Sequence, residues 1–166
     1  MASTVALPPT IRADDEGERR WFFGGGVHRW KVTPEETGGA FMLFEARMER
    51  GKATPLHTHD DSDETTYVLE GEIRMHLAGQ ETQLTTGGLA VAPRGVPHAF
   101  LVVSDVARLL FLHTPGCCQD FYWDASEPLA AGAAPSGPVD FSRVHASAQK
   151  NGGMTVVGPP PFAAGG

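Results

Sequence analysis

Cysteine is nearly absent from this 166-residue chain, which carries two, Cys117 and Cys118, side by side. Neighbouring cysteines close no useful loop, so a disulfide framework is excluded. With no CxxC and no second pair, the usual structural zinc sites are excluded as well. Any metal must therefore sit on nitrogen and oxygen. Positive charge is also scarce, since 13 Lys and Arg face 20 Asp and Glu and leave a net charge of −7. The basic residues, such as Arg19, Arg20, Arg29, Lys31, Arg47, Arg50 and Lys52, are scattered among acids. A phosphate backbone demands a concentrated basic face, so no nucleic-acid partner is expected. No apolar run approaches the roughly 18 residues of a membrane span. The acidic opening through Glu18 lacks the basic-then-apolar plan of a secretory signal. No membrane partner and a cytoplasmic location are the resulting expectations.

Glycine and proline are plentiful, at 20 and 13, and they fall between short alternating apolar runs. That rhythm predicts an all-β barrel of short strands, with strands over 21–23, 27–32, 40–48, 65–69, 73–77, 82–84, 89–92, 98–103 and 108–113. Turn chemistry separates them at Glu35–Gly39, Glu70-Gly71, Ala78-Gly79, Gly87-Gly88 and Pro93–Gly95. After Pro115 the pattern predicts a short helix over Gln119–Ala125 and a linker or lid over Ser126–Pro138. A last helix capped by Asp140 or Ser142 and a closing strand over Met154–Val157 follow. No internal repeat is evident. The expected organisation is an N-terminal arm over 1–20, one barrel over 21–115, and a helical extension over 116–166 that packs on it.

The informative positions are Gly51, His57, His59, Glu64 and Gly71, followed by Gly87, Pro93, Gly95 and His98. Residues two apart on a strand share a face, so His57 and His59 point together into the barrel. Glu64 opens the next strand toward the same interior, and the Pro93–Gly95 turn delivers His98 to the same point. The spacing resembles the two motifs of the cupin family, Gly-x5-His-x-His-x3–4-Glu-x6-Gly and Gly-x5-Pro-x-Gly-x2-His. The resemblance implies a jelly-roll-like cupin barrel in which His57, His59, Glu64 and His98 hold one divalent transition metal. Asp63 is a rival for the acidic ligand, but Glu64 stands at the required distance from Gly71. One departure is Val102, where the family often has a non-ligand Asn.

Metal identity stays open among Fe, Mn, Ni, Co, Cu and Zn, because affinity order alone does not choose. Strand parity makes Phe100 a pocket-wall candidate beside His98, with Thr66 and Val68 in phase with Glu64, and His113 a further candidate. His76 reads as surface; His28 and His145 read as structural or exposed, and the cysteines as ordinary helix-start residues. An apolar cavity around a metal suits a carbon-rich small-molecule substrate. Similarity to small single-barrel cupins of the quercetin 2,3-dioxygenase type implies ring cleavage of a flavonol-like enol by dioxygen. In that reading Glu64 is the catalytic proton acceptor. The alternatives are a redox-neutral cyclase, isomerase or lyase, and a non-catalytic metal or ligand binder. Tyr67 lies one residue beyond the position a Tyr-dependent cupin lyase would use, which disfavours that lyase. Cupin barrels commonly pair through sheet faces, which implies a homodimer.

Overall fold

The computed structural model describes residues 7–135 and 137–163. Expectations for the first six residues, Ser136 and the last three lie outside the described residues. Two antiparallel sheets face each other. The larger runs β11(Ser126–Pro128), β1(Arg19–Phe22), β2(Val27–Val32), β3(Met42–Glu49), β10(Val106–Thr114), β5(Asp63–Glu70), β8(Leu89–Ala92). The smaller runs β12(Thr155–Gly158), β4(Leu56–Thr58), β9(His98–Val102), β6(Glu72–Leu77), β7(Gln80–Thr85). Three helices, α1(Pro34–Thr37), α2(Gln119–Asp124) and α3(Phe141–Asn151), complete the order.

The alternation that predicted strands is what builds the core. Strand β3 buries Met42, Phe44, Ala46 and Met48, and β10 buries Ala107, Leu109, Phe111 and His113. Their inward residues meet Ile73 and Met75 of β6 and Phe100 and Val102 of β9 from the opposite sheet. Burying each large side chain contributes about 1.5–3 kcal/mol. Val102 is almost wholly enclosed in this core and pairs with Ile73, so an apolar residue suits its position. Gly71 joins β5 to β6 at φ 87°, and a Cβ there would stand 2.3 Å from the Val106 carbonyl oxygen. Only glycine fits that approach. The β6–β7 hairpin turns through Ala78 and Gly79, both at positive φ (51° and 81°), as a two-residue hairpin loop requires.

Several local expectations change. Glu35 and Glu36 belong to the four-residue helix α1, where Glu36 Oε2 accepts from the Thr33 amide at 2.9 Å. Asp140 caps α3, its Oδ1 accepting from the amides of Ser142 at 3.0 Å and Arg143 at 3.3 Å. The start of the expected linker forms strand β11, paired with β1. Strand β12 extends the smaller sheet beside β4, setting Val156 opposite His57. The C-terminal segment is thus woven into both sheets. No helix among the described residues is long and apolar enough to cross a membrane.

Candidate metal centre and its cavity

His57 on β4 lies directly opposite His98 on β9. Glu64, near the start of β5, sits opposite Ala92 of β8 and His113 of β10. His59 follows β4, and its carbonyl accepts from the Gly95 amide at 3.0 Å, which ties the His-x-His segment to the Pro93–Gly95 turn. The structure therefore brings His57, His59, Glu64 and His98 together, each buried, with one ligand atom apiece all within 4.8 Å of one another. Donors about 2.1 Å from one ion stand roughly 3–4 Å apart, so the group has the right size.

The orientation of each imidazole is set from behind. Nδ1 of His57 meets the Pro55 carbonyl at 2.8 Å, and Nδ1 of His98 meets that of Val96 at 2.9 Å. His59 Nδ1 meets the Gly153 carbonyl. A carbonyl only accepts, so each Nδ1 carries a proton and each Nε2 is turned inward, presenting its lone pair when the ring is neutral. This is the arrangement that metal-binding histidines adopt. The Nε2 atoms of His59 and His98 are buried without an aligned hydrogen-bond partner, lying 2.9 and 3.7 Å from Glu64 oxygens. Buried polar atoms without a well-aligned hydrogen bond are costly, and a divalent cation between the neutral rings and Glu64 would satisfy them. The residues fit a transition metal.

Burial opposes ionisation of Glu64, yet His98 and His59 hold its carboxyl well below the usual range. Burial pushes His57 down to about 3, with the neighbouring His98 and His59 acting in the same direction, which keeps its ring neutral and able to donate to a metal. Asp63 faces outward, taking the Arg94 amide at 3.0 Å and its guanidinium at 3.3 Å. Thr66 Oγ1 donates to Glu64 Oε1 at 3.1 Å. Val68 is fully enclosed in the core. His113 is also fully buried behind Glu64, between Ser62 at 3.2 Å and the Tyr122 hydroxyl at 3.1 Å, with its Nε2 3.5 Å from Glu64. Burial holds its pKa down to about 3. Cys118 is buried against Ser62 and the Gly153 carbonyl, at 3.2 and 3.5 Å, and burial pushes its thiol up to about 12. That thiol is no nucleophile at neutral pH.

A cavity of about 60 Å³ reaches His57 and Glu64, with room for roughly four to six waters. Of the sequence-derived pocket residues, Phe100 is on its wall, whereas Thr66, Val68 and His113 are not. The wall also carries Lys52, Phe44, Phe111, Tyr122 and Phe141, which sequence reasoning did not assign to the site. The sequence pattern reads Phe44 as barrel core, together with Leu110 and Leu112 on β10; β10 instead turns Leu109 and Phe111 inward, and no pattern marked Tyr122 or Lys52. His28 is buried there too, stacked between Phe22 and Phe44 at 4.7 Å each. His145 is exposed on α3, and His76 is half-buried on β6.

Residues 44–114 match the family model described as a cupin domain. Quercetin 2,3-dioxygenase of Bacillus subtilis is 27% identical over 150 residues, 87% of this chain and 44% of that protein. The HTH-type transcriptional regulator PuuR of Escherichia coli is 33% identical over 75 residues, 45% of this chain and 40% of that one. The chain spans less than half the length of these curated relatives. Among solved structures, an RmlC-like cupin from Shewanella frigidimarina superposes with a TM-score of 0.57 at 19% identity, covering 65% of this chain and 92% of that one.

Proposed function

We propose that this chain, whose residues 44–114 match a cupin domain, is a metal-dependent enzyme in which His57, His59, Glu64 and His98 hold one divalent transition ion. The observation that carries this reading is the set of imidazoles whose Nδ1 atoms are fixed to backbone carbonyls while buried Nε2 atoms converge on one carboxylate. When bound, such an ion supplies Lewis acidity and open positions for small oxygen ligands.

Within that frame the leading reaction is oxygen-dependent cleavage of an enol-bearing aromatic, supported by the likeness to the Bacillus quercetinase. Glu64 takes the enol proton, and Thr66 fixes the carboxylate by its bond to Oε1. A base held this way faces the substrate without searching rotamers. Phe100 and Phe111 exclude water from the electron-rich enolate that dioxygen attacks. A second reading, a redox-neutral isomerase or cyclase, is favoured by the cavity size. About 60 Å³ is far below the roughly 300–1,000 Å³ of cavities that enclose drug-sized ligands. A flavonol therefore needs the cavity wall to open, whereas a compact substrate needs less.

The test is metal analysis of protein purified without chelators, then a flavonol panel with and without air. Aerobic turnover with matching oxygen uptake, lost in Glu64→Gln, supports the dioxygenase. Turnover at equal rate without air refutes it in favour of the redox-neutral reading, and absence of bound metal refutes both. We also propose a homodimer through the outer face at edge strand β8, where Leu89, Val91 and the neighbouring Tyr67 are exposed.

A further inference from the structure

Lys52 stands in the connection after β3, and its side chain reaches the wall of the cavity that His57 and Glu64 line. Among the described residues it has no carboxylate within 4.0 Å, although acids outnumber basic residues in this chain. Its ammonium donates to the carbonyls of Gly24 and Ala53. An ammonium has three N–H donors, so one is left without a protein acceptor among the described residues. The surroundings are apolar: the Phe22 and Phe141 ring centres lie 5.9 and 5.8 Å from Nζ, and the stem runs beside Gly25. Burial pushes the pKa down to about 8, which leaves most molecules charged at neutral pH. Lys52 is half-buried by exposure, and a cation held against apolar walls without a counter-ion gains from an anion placed beside it. Lys52 and Glu64 are the formally charged groups on this wall, and Glu64 is already engaged with the histidines.

We propose that Lys52 anchors a carboxylate carried by the substrate away from its enol, so that the substrate class is an enol- or phenol-bearing acid with an apolar body. The assignment rests on reading His57 and Glu64 as the reacting end. With the cavity wall displaced to admit the ring, the carboxylate meets the free N–H of Lys52, the apolar body lies along Phe100 and Phe111, and the hydroxyl faces Glu64. Orientation is thereby fixed by opposite chemistry at the two ends. A neutral flavonol uses only one of them.

The probe pair is 4-hydroxybenzoate and its methyl ester, measured by calorimetry on metal-loaded and on chelator-treated protein. Wild type should bind the acid about tenfold more tightly than the ester, the scale of one charge-assisted hydrogen bond. Lys52→Met should erase that difference while metal content stays unchanged, and Lys52→Arg should keep it. Equal binding of acid and ester by wild type, no binding of the acid, or a preference surviving Lys52→Met overturns the assignment. If Lys52→Met fails to fold, the wild-type and Lys52→Arg comparisons decide. Loss of the metal reading shows separately, in the metal content, because the acid–ester comparison is also made on chelated protein.

Discussion

Replacing His28 with Phe should stabilise the protein at neutral pH and flatten its acid limb. His28 lies on β2 with its ring stacked at 4.7 Å on both Phe22 and Phe44, and its Nδ1 is buried without a hydrogen-bond partner. Removing an unsatisfied buried polar atom recovers about 1–3 kcal/mol, and the larger ring can extend into the adjoining cavity. Burial, reinforced by Lys52 and Arg20, pushes the His28 pKa from 6.5 to about 3. Below about pH 6.5 the unfolded chain binds a proton at this residue that the folded protein does not. Stability is therefore complete above that pH and falls as pH drops, by about 1.4 kcal/mol per unit, until the folded pKa is reached. Between about pH 6.5 and 4.5 the advantage of His28→Phe over wild type should grow by about 3 kcal/mol. His57 and His113 share the direction of the shift, but they are present in both proteins and cancel in the difference. Urea unfolding of the metal-free pair across this range measures it. Parallel acid limbs would show that His28 is not held neutral in the fold.

Thr66→Val should leave metal content intact and lower turnover severalfold through a looser Glu64, with Thr66→Ser restoring most of it; unchanged kcat in Thr66→Val refutes the positioning role. Gly153→Ala should weaken metal affinity by about 10–100-fold, because at φ 79° its Cβ would stand 2.9 Å from Phe121 Cβ and displace the carbonyl behind His59; metal titration by calorimetry checks it. Ala78→Gly should raise stability by about 0.5–1 kcal/mol, since alanine at φ 51° carries left-handed strain, and a lower melting temperature would refute this. Leu89→Glu should shift the protein to monomer in light scattering without loss of metal.

The four convergent side chains were legible because their spacing is local: a His-x-His pair at the end of one strand, a carboxylate opening the next, and a His after a Pro–Gly turn. Strand parity also placed Phe100 beside His98 and kept Tyr67 outside. What stayed hidden depends on contacts between distant segments. The carbonyl of Gly153 is a backbone atom and leaves no mark in side-chain pattern, yet it orients His59 from 94 residues away. Lys52 reads as one more surface cation until Phe22 and Phe141 are seen around it. Ser126–Pro128 reads as linker because a three-residue strand has too few positions to show alternation.

The Gly153 bond to His59 and the β12–β4 pairing also bear on synthesis. A nascent chain that has emerged through Thr114 already carries His57, His59, Glu64 and His98 and the strands that hold them. It lacks the carbonyl that fixes the His59 tautomer and the strand that borders His57. Until residues 153–158 dock, His59 is free to turn either ring nitrogen inward, and the half-built centre competes poorly for a cation. Completion of the site therefore waits on the docking of residues 153–158, well after the last of its four side chains in the chain.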